Sequence, residues 1–211
     1  EVAFCGIILL AGVTAGENLE LNTALAQAAC DLADGARVLI ASTQAVYGSK
    51  AGPLSEETLC RPNTAYGHAK LAMEQAMARH TNVTCLRIGN VLGSDALSAA
   101  MTAGEVTLDI FPDGRSPCRA MIGPLTLARS LAHLIQTPEP LPQTLNLAQP
   151  KLVEMAAILT AAGRFWVPRP APPTAFARLE LDLRRLANFV DLRDTDPHQL
   201  LCEAKLAGWN L

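Results

Sequence analysis

Aromatic residues are scarce, at 4% of 211 positions, which argues against an aromatic-rich all-β sandwich and for helices packed on a sheet. Charge of one sign is also lacking. The net charge is −3 and no basic run stands anywhere along the chain, so nothing tracks a phosphate backbone and nucleic acid is not an expected partner. The longest apolar stretch, Val2 to Val13, falls short of the ~20 residues that span a bilayer and has no basic flank of a signal peptide. We therefore expect no membrane association and a cytoplasmic location. Six cysteines, at positions 5, 30, 60, 85, 118 and 202, form no Cys-x-x-Cys pair. They read as small apolar fillers in a reducing compartment, and no metal site is expected. What is abundant is apolar surface: the chain is 50% hydrophobic and 18% charged, which excludes intrinsic disorder and allows a sizeable core.

The order of elements is alternating. Val2 to Leu10 is almost continuously apolar, as in a strand covered on both faces. A turn at Gly12 to Gly16 follows. Asn18 can then cap a helix carrying Leu21, Leu25, Ala28 and Leu32 and stopped by Gly35. Arg37 to Ser42 reads as a second buried strand, completing a βαβ unit. A helix from about Thr64 to Arg79 places Ala65, Ala69, Ala72, Met73 and Ala76 on its inner face, and Val83 to Ile88 supplies another strand. A short helix after Ser94, a strand near Val106 to Phe111, a helix from Pro124 to about Gln136, a strand at Thr144 to Leu147 and a helix from Lys151 to Ala162 continue the pattern. The proline-rich stretch from Arg164 to Pro173 predicts an extended connection, and Ala175 to Val190 and Pro197 to Ala207 predict two amphipathic helices. The expected fold is α/β, a Rossmann-like doubly wound parallel sheet in residues 1–150, with a small, mostly helical lobe in 151–211.

The chemistry concentrates after the second strand. Thr43 ends that strand at the carboxyl edge, where ligands of open α/β sheets bind. It opens the run Thr43-Gln44-Ala45-Val46-Tyr47-Gly48, and the next helix carries Tyr66 and Lys70 at i and i+4. A lysine one turn from a tyrosine favours the phenolate and makes a usable general base. Tyr47, past the strand end, reads as a packing residue. His68 lies off the Tyr66/Lys70 face, and His80, His133 and His198 lack metal-ligand spacing.

A strand ending Ser-Thr-x-x-Val-Tyr-Gly, then a proline loop, then Tyr-x-x-x-Lys opening a helix resembles the extended short-chain dehydrogenase/reductase family, the NAD-dependent epimerase/dehydratases. The resemblance covers roughly residues 1 to 150. It implies a hydride-transfer oxidoreductase, of epimerase or reductase type, acting on a nucleotide-linked sugar or similar alcohol. Tyr66 would be the base, Thr43 would hydrogen-bond the reacting oxygen, and Lys70 would lower the Tyr66 pKa and bind the cofactor ribose. The resemblance further implies cofactor contacts at Ala11, Gly12, Asn22, Ser42 and Gly89, and substrate contacts at Gln44, Asn90 and Arg119. It also implies a homodimer built through two helices per subunit, including that of Tyr66.

Two departures qualify the resemblance. The family opens on a strand, a Gly-x-x-Gly-x-x-Gly turn and a helix that receives the cofactor pyrophosphate, and this sequence starts at what would be the fourth strand. We therefore expect an N-terminally incomplete sheet, and NAD or NADP bound weakly or not at all by this chain alone. A truncated, non-catalytic relative acting as a binding or scaffold protein is the alternative expectation. The second departure is chemical. Family members that eliminate water carry an Asp and a Glu after the catalytic threonine, where this chain has Gln44 and Ala45. Neither exchanges a proton at neutral pH, so dehydration is not expected.

Overall fold

The computed structural model describes residues 6–50 and 52–209. The first residues of the expected opening strand, 2–5, lie outside that range. From Gly6 the chain forms β1 (Gly6–Leu9), α1 (Leu21–Ala33), β2 (Arg37–Thr43), a 3-10 turn at Gln44–Tyr47, α2 (Ala65–Met77) and β3 (Val83–Ile88). Next come β4 (Asn90–Val91), α3 (Ala96–Ala103), β5 (Val106–Ile110), β6 (Cys118–Arg119), β7 (Met121–Ile122), α4 (Pro124–Gln136) and β8 (Thr144–Leu147). The remainder is β9 (Val153–Glu154), α5 (Met155–Ala161), β10 (Trp166–Pro170), β11 (Arg178–Leu179), a 3-10 turn at Leu186–Asn188 and α6 (Pro197–Leu206).

The principal sheet is parallel throughout, in the order β1-β2-β3-β8. Alternation along β2 assigns its two faces. Val38 and Ile40 join Val83 and Cys85 under α1 and α2, with Ala26, Ala29, Met73 and Met77. Leu39 points the other way and joins Leu86, Leu145 and Leu147 under Leu131, Leu134 and Ile135 of α4. Helices on both faces of a parallel sheet make this a Rossmann-like α/β fold, and they explain why Val38 to Ala41 of β2 form a continuous apolar stretch.

The inner face of α2 differs from the expected alanine stripe. Gly67, Lys70, Met73, Glu74 and Met77 are buried, while Ala65 and Ala72 are exposed. The helix turns two charged side chains inward because each finds a partner there. Lys70 Nζ donates to the Ala41 carbonyl at 2.8 Å, and Glu74 accepts from Arg87 and Ser42.

A cut at residue 150 does not divide the structure. β5 pairs with β10, and β6 lies between β11 and β9, so strands from 106–119 share small sheets with strands from 153–179. Their shared core holds Leu97, Met101, Val106 and Leu108 with Ile158, Leu159, Leu200 and Leu201. The proline-rich stretch is correspondingly a strand, β10, with Pro168 and Pro170 in its two-stranded sheet, a place where a missing N–H is tolerated. The helix expected over 175–190 is also absent: Leu179 and Leu181 are buried and Arg178 is exposed, a period of two that suits β11 and the bridge between Leu54 and Leu181. The last helix forms where expected, with Asp196 accepting from Gln199 N at its start.

Candidate functional site

The site is assembled where β2 ends. Thr43 is extended, at φ −146° and ψ 147°, and its side chain accepts from the Ala45 amide at 3.2 Å, starting the Gln44–Tyr47 turn. Gly48 leaves that turn at φ +71°, where a Cβ would meet the Arg61 carbonyl at 2.0 Å. Only glycine fits. The chain returns at Thr64, whose hydroxyl accepts from Gly67 N at 3.0 Å and caps α2. Gly67 is packed so closely on the turn that a Cβ would lie 2.7 Å from the Ala45 carbonyl. This contact brings the first turn of α2, and Tyr66 with it, beside Thr43.

Burial raises the Tyr66 phenol above its ordinary value of 10.0, against a smaller downward pull from the Thr43 side chain. Burial also lowers the Lys70 ammonium below its ordinary value, with Cys85 and Glu74 opposing. The expected lowering of the Tyr66 pKa by Lys70 is not found. The ammonium stands 6.0 Å from the tyrosine ring centroid and points one N–H at Ala41 O. In this arrangement Tyr66 is a protonated phenol.

Lys70 also borders the loop after β1. A Cβ on Gly12 would lie 3.1 Å from Lys70 Nζ and 2.7 Å from Asn22 Oδ1. Asn22 is buried and ties that loop to the start of α1: its Nδ2 donates to Val13 O and Leu19 O, and its Oδ1 accepts from Val13 N. The expected residues Gly12, Asn22, Thr43, Tyr66 and Lys70 thus come together, with exposed Ala11 on the same loop. A second group adjoins them. Gln44 Nε2 donates to Asn90 Oδ1, and Asn90 Nδ2 donates to Asp95 Oδ2 at 3.3 Å.

Three further expected residues have partners within the chain. Ser42 Oγ donates inward to Glu74 Oε1 at 2.5 Å. Gly89 serves a close backbone approach, since a Cβ there would lie 2.6 Å from the Ala120 carbonyl. Arg119 gives its guanidinium to the carbonyls of Cys118, Phe176 and Ala177 and stacks 4.6 Å over the Phe176 ring. Burial lowers its pKa. Sequence reasoning also missed the polar core under α2, where Arg87 joins Glu74, Tyr47 and the Glu56 carbonyl. Its signal was an arginine inside the apolar run of β3, a position that demands a partner.

Comparison with protein families matches residues 10–107 to the NAD dependent epimerase/dehydratase family. The matched stretch contains Gly12, Asn22, Thr43, Tyr66, Lys70 and Asn90. Over that stretch the chain is similar to that family. Solved structures agree at the level of the fold. ADP-L-glycero-D-manno-heptose-6-epimerase from Helicobacter pylori superposes with a TM-score of 0.77 at 17% identity, over 97% of this chain and 73% of that one. UDP-glucose 4-epimerase from Bifidobacterium longum, in complex with NAD+ and UDP, gives 0.71 at 19% identity, over 95% and 74%. UDP-glucuronic acid 4-epimerase from Bacillus cereus, in complex with UDP-glucuronic acid and NAD, gives 0.70 at 18% identity, over 93% and 72%. A search of curated protein sequences finds no significant match. Among the described residues, no helix is long and apolar enough to cross a membrane, and no group of three or more His, Cys, Asp or Glu side chains is placed to hold a metal ion.

Proposed function

We propose that this protein is an NAD(P)-dependent oxidoreductase of epimerase or reductase type, acting on a nucleotide-linked sugar or a similar alcohol. The observation that carries the reading is the meeting of Thr43, Tyr66 and Lys70 at the carboxyl edge of the sheet, beside a loop pressed against Lys70 at Gly12. The residues present fit the nicotinamide end of a dinucleotide. Gly12 has no room for a side chain against Lys70 and Asn22, so the loop offers bare backbone beside an ammonium with two further N–H donors. Lys70, Ala11 and Gly12 would hold the ribose. When bound, the dinucleotide supplies a hydride acceptor and donor.

The chain's own residues then handle the proton. Tyr66 in its protonated form suits the reductive direction, giving its phenolic proton to a carbonyl oxygen as that oxygen gains charge. Thr43 Oγ1, beside the phenol, orients the same oxygen. In the oxidative direction Tyr66 must first lose its proton, and a hydroxyl of the substrate then gives up its own to the phenolate. Lys70 is the nearby cation that favours that step once its ammonium turns from Ala41. Gln44 and Asn90 would contact the sugar. Gln44 and Ala45 offer no acid and base for eliminating water. The exposed Leu21, Leu25 and Leu32 on α1 support a homodimer through α1 and α2, which light scattering tests.

Incubation with NAD+ or NADP+ and a panel of UDP- and ADP-linked sugars, with products read by NMR, tests the reading. Turnover should fall by about 10²-fold or more in Tyr66→Phe, the scale of a lost general acid or base, with the fold intact by circular dichroism. Near-full turnover in that variant would move the chemistry elsewhere. Absence of turnover on every sugar, with no binding of either dinucleotide, would favour a binding or scaffold role.

A further inference from the structure

Among the described residues, one buried side-chain polar atom has no hydrogen-bond partner, and it is Gln44 Oε1. Its residue is 7% exposed and directly follows Thr43. Buried polar atoms are nearly always paired, and leaving one unpaired is costly. Such an exception beside a reacting centre points to a partner that arrives with a ligand.

The neighbours fix which kind of partner it is. Asp95 closes the chain: its Oδ1 accepts from Ser98 N at 3.0 Å and from Ser98 Oγ at 2.6 Å, and its Oδ2 accepts from Asn90 Nδ2 at 3.3 Å. A carboxylate only accepts. It therefore orients the Asn90 amide with Nδ2 toward Asp95 and Oδ1 toward Gln44. Asn90 Oδ1 in turn requires Gln44 to present Nε2, so the carbonyl Oε1 is the end left open. Flipping either amide would set two acceptors against each other. The polarity of the open end is thus imposed by Asp95, two links away.

We propose that Gln44 Oε1 accepts a hydrogen bond from a substrate hydroxyl or amide N–H, so that the site selects a sugar carrying a donor at that position. A keto, carboxylate or deoxy group there leaves Oε1 unpaired and is discriminated against. This inference rests on the nucleotide-sugar reading above and narrows its substrate class.

A mutant cycle separates the two. UDP, UDP-glucose and the 2-, 3-, 4- and 6-deoxy forms of UDP-glucose are titrated by calorimetry into the native chain and into Gln44→Met, which keeps the length of the side chain without its carbonyl. One deoxy analogue should bind the native chain about tenfold more weakly than UDP-glucose and show no such loss in Gln44→Met, while UDP binds both proteins alike. Equal losses in both proteins for every analogue, or UDP-glucose affinity unchanged by Gln44→Met, would overturn the assignment of Gln44 and leave the oxidoreductase reading standing. Failure of the native chain to bind UDP, ADP or any UDP- or ADP-linked sugar in the same titration would overturn both. A Gln44-dependent position found alongside full turnover in Tyr66→Phe would support Gln44 and overturn the proton-transfer scheme.

Discussion

Arg87 on β3 holds Glu74 on α2 with two nitrogens: Nη2 is 2.7 Å from Oε2, and Nε lies 3.1 and 3.2 Å from the two carboxylate oxygens. Both side chains are almost wholly buried, at 6% and 4% exposure. Glu74 follows Lys70 by one helical turn and also accepts from Ser42, the neighbour of Thr43. The pair therefore ties the tyrosine helix to the strand end that faces it.

Removing one partner strands the other charge. Glu74→Ala should lower stability by about 3–5 kcal/mol, the cost of an uncompensated buried charge. The double variant Glu74→Leu with Arg87→Met should recover a large part of that loss. Urea unfolding of the three proteins measures both effects, and a single variant within ~1 kcal/mol of the native chain would contradict the burial of the pair.

Gly67→Ala should reduce turnover even though alanine is the better helix former by ~1 kcal/mol. The added Cβ would lie 2.7 Å from the Ala45 carbonyl and 2.9 Å from Pro62 Cβ, so α2 must back away from the Thr43 turn. We expect a loss in kcat of about tenfold or more at little cost in melting temperature. Unchanged kinetics would show that the Thr43–Tyr66 spacing is not set there.

Alkaline pH should expose the Tyr47 phenol as a stability determinant. Burial, opposed by the charge and hydrogen bond of Arg87, pushes its pKa up to about 12 from 10.0. The folded state then keeps a proton that the unfolded state releases. Its contribution is complete below pH 10 and is lost as pH rises toward about 12. Tyr47→Phe, less stable at neutral pH, should show a shallower decline between pH 10 and 12 in chemical denaturation. Parallel slopes in the two proteins would refute this.

Incubation with NAD+ and nucleotide-linked hexoses should yield no 4-keto-6-deoxy product, because Gln44 and Ala45 supply neither acid nor base for elimination. Mass spectrometry detects the loss of water directly, and its appearance would reinstate dehydration.

What the sequence revealed follows the range of the interactions. That Thr43 ends β2 and that Tyr66 and Lys70 lie one turn apart on α2 was legible, because a strand end and an i, i+4 helical pair are local patterns. Arg87 and Glu74 were not read as a pair, since their pairing depends on β3 lying beside α2 in space. Arg119 illustrates the same limit: its guanidinium is spent on carbonyls of 176–177, a contact no local spacing announces. In the tail, leucines at 179, 181 and 183 fit a strand's period of two, yet the surrounding leucines and arginines also fit a helix. The partner strand β6 decided the matter.

The pairing of β5 with β10 and of β6 with β11 sets an order of events during synthesis. Val106 meets Trp166, and Cys118 meets Arg178, across sixty positions of chain, and Thr126 at the head of α4 awaits the carboxylate of Glu203. The main sheet closes once β8 at residues 144–147 has left the ribosome. The smaller lobe must wait for α6 to emerge. Until then Leu97, Met101 and Leu108 lack the Leu200 and Leu201 side chains that complete their core, so the nascent chain carries the paired strands β1, β2, β3 and β8 beside an open apolar surface, the species on which a chaperone would act.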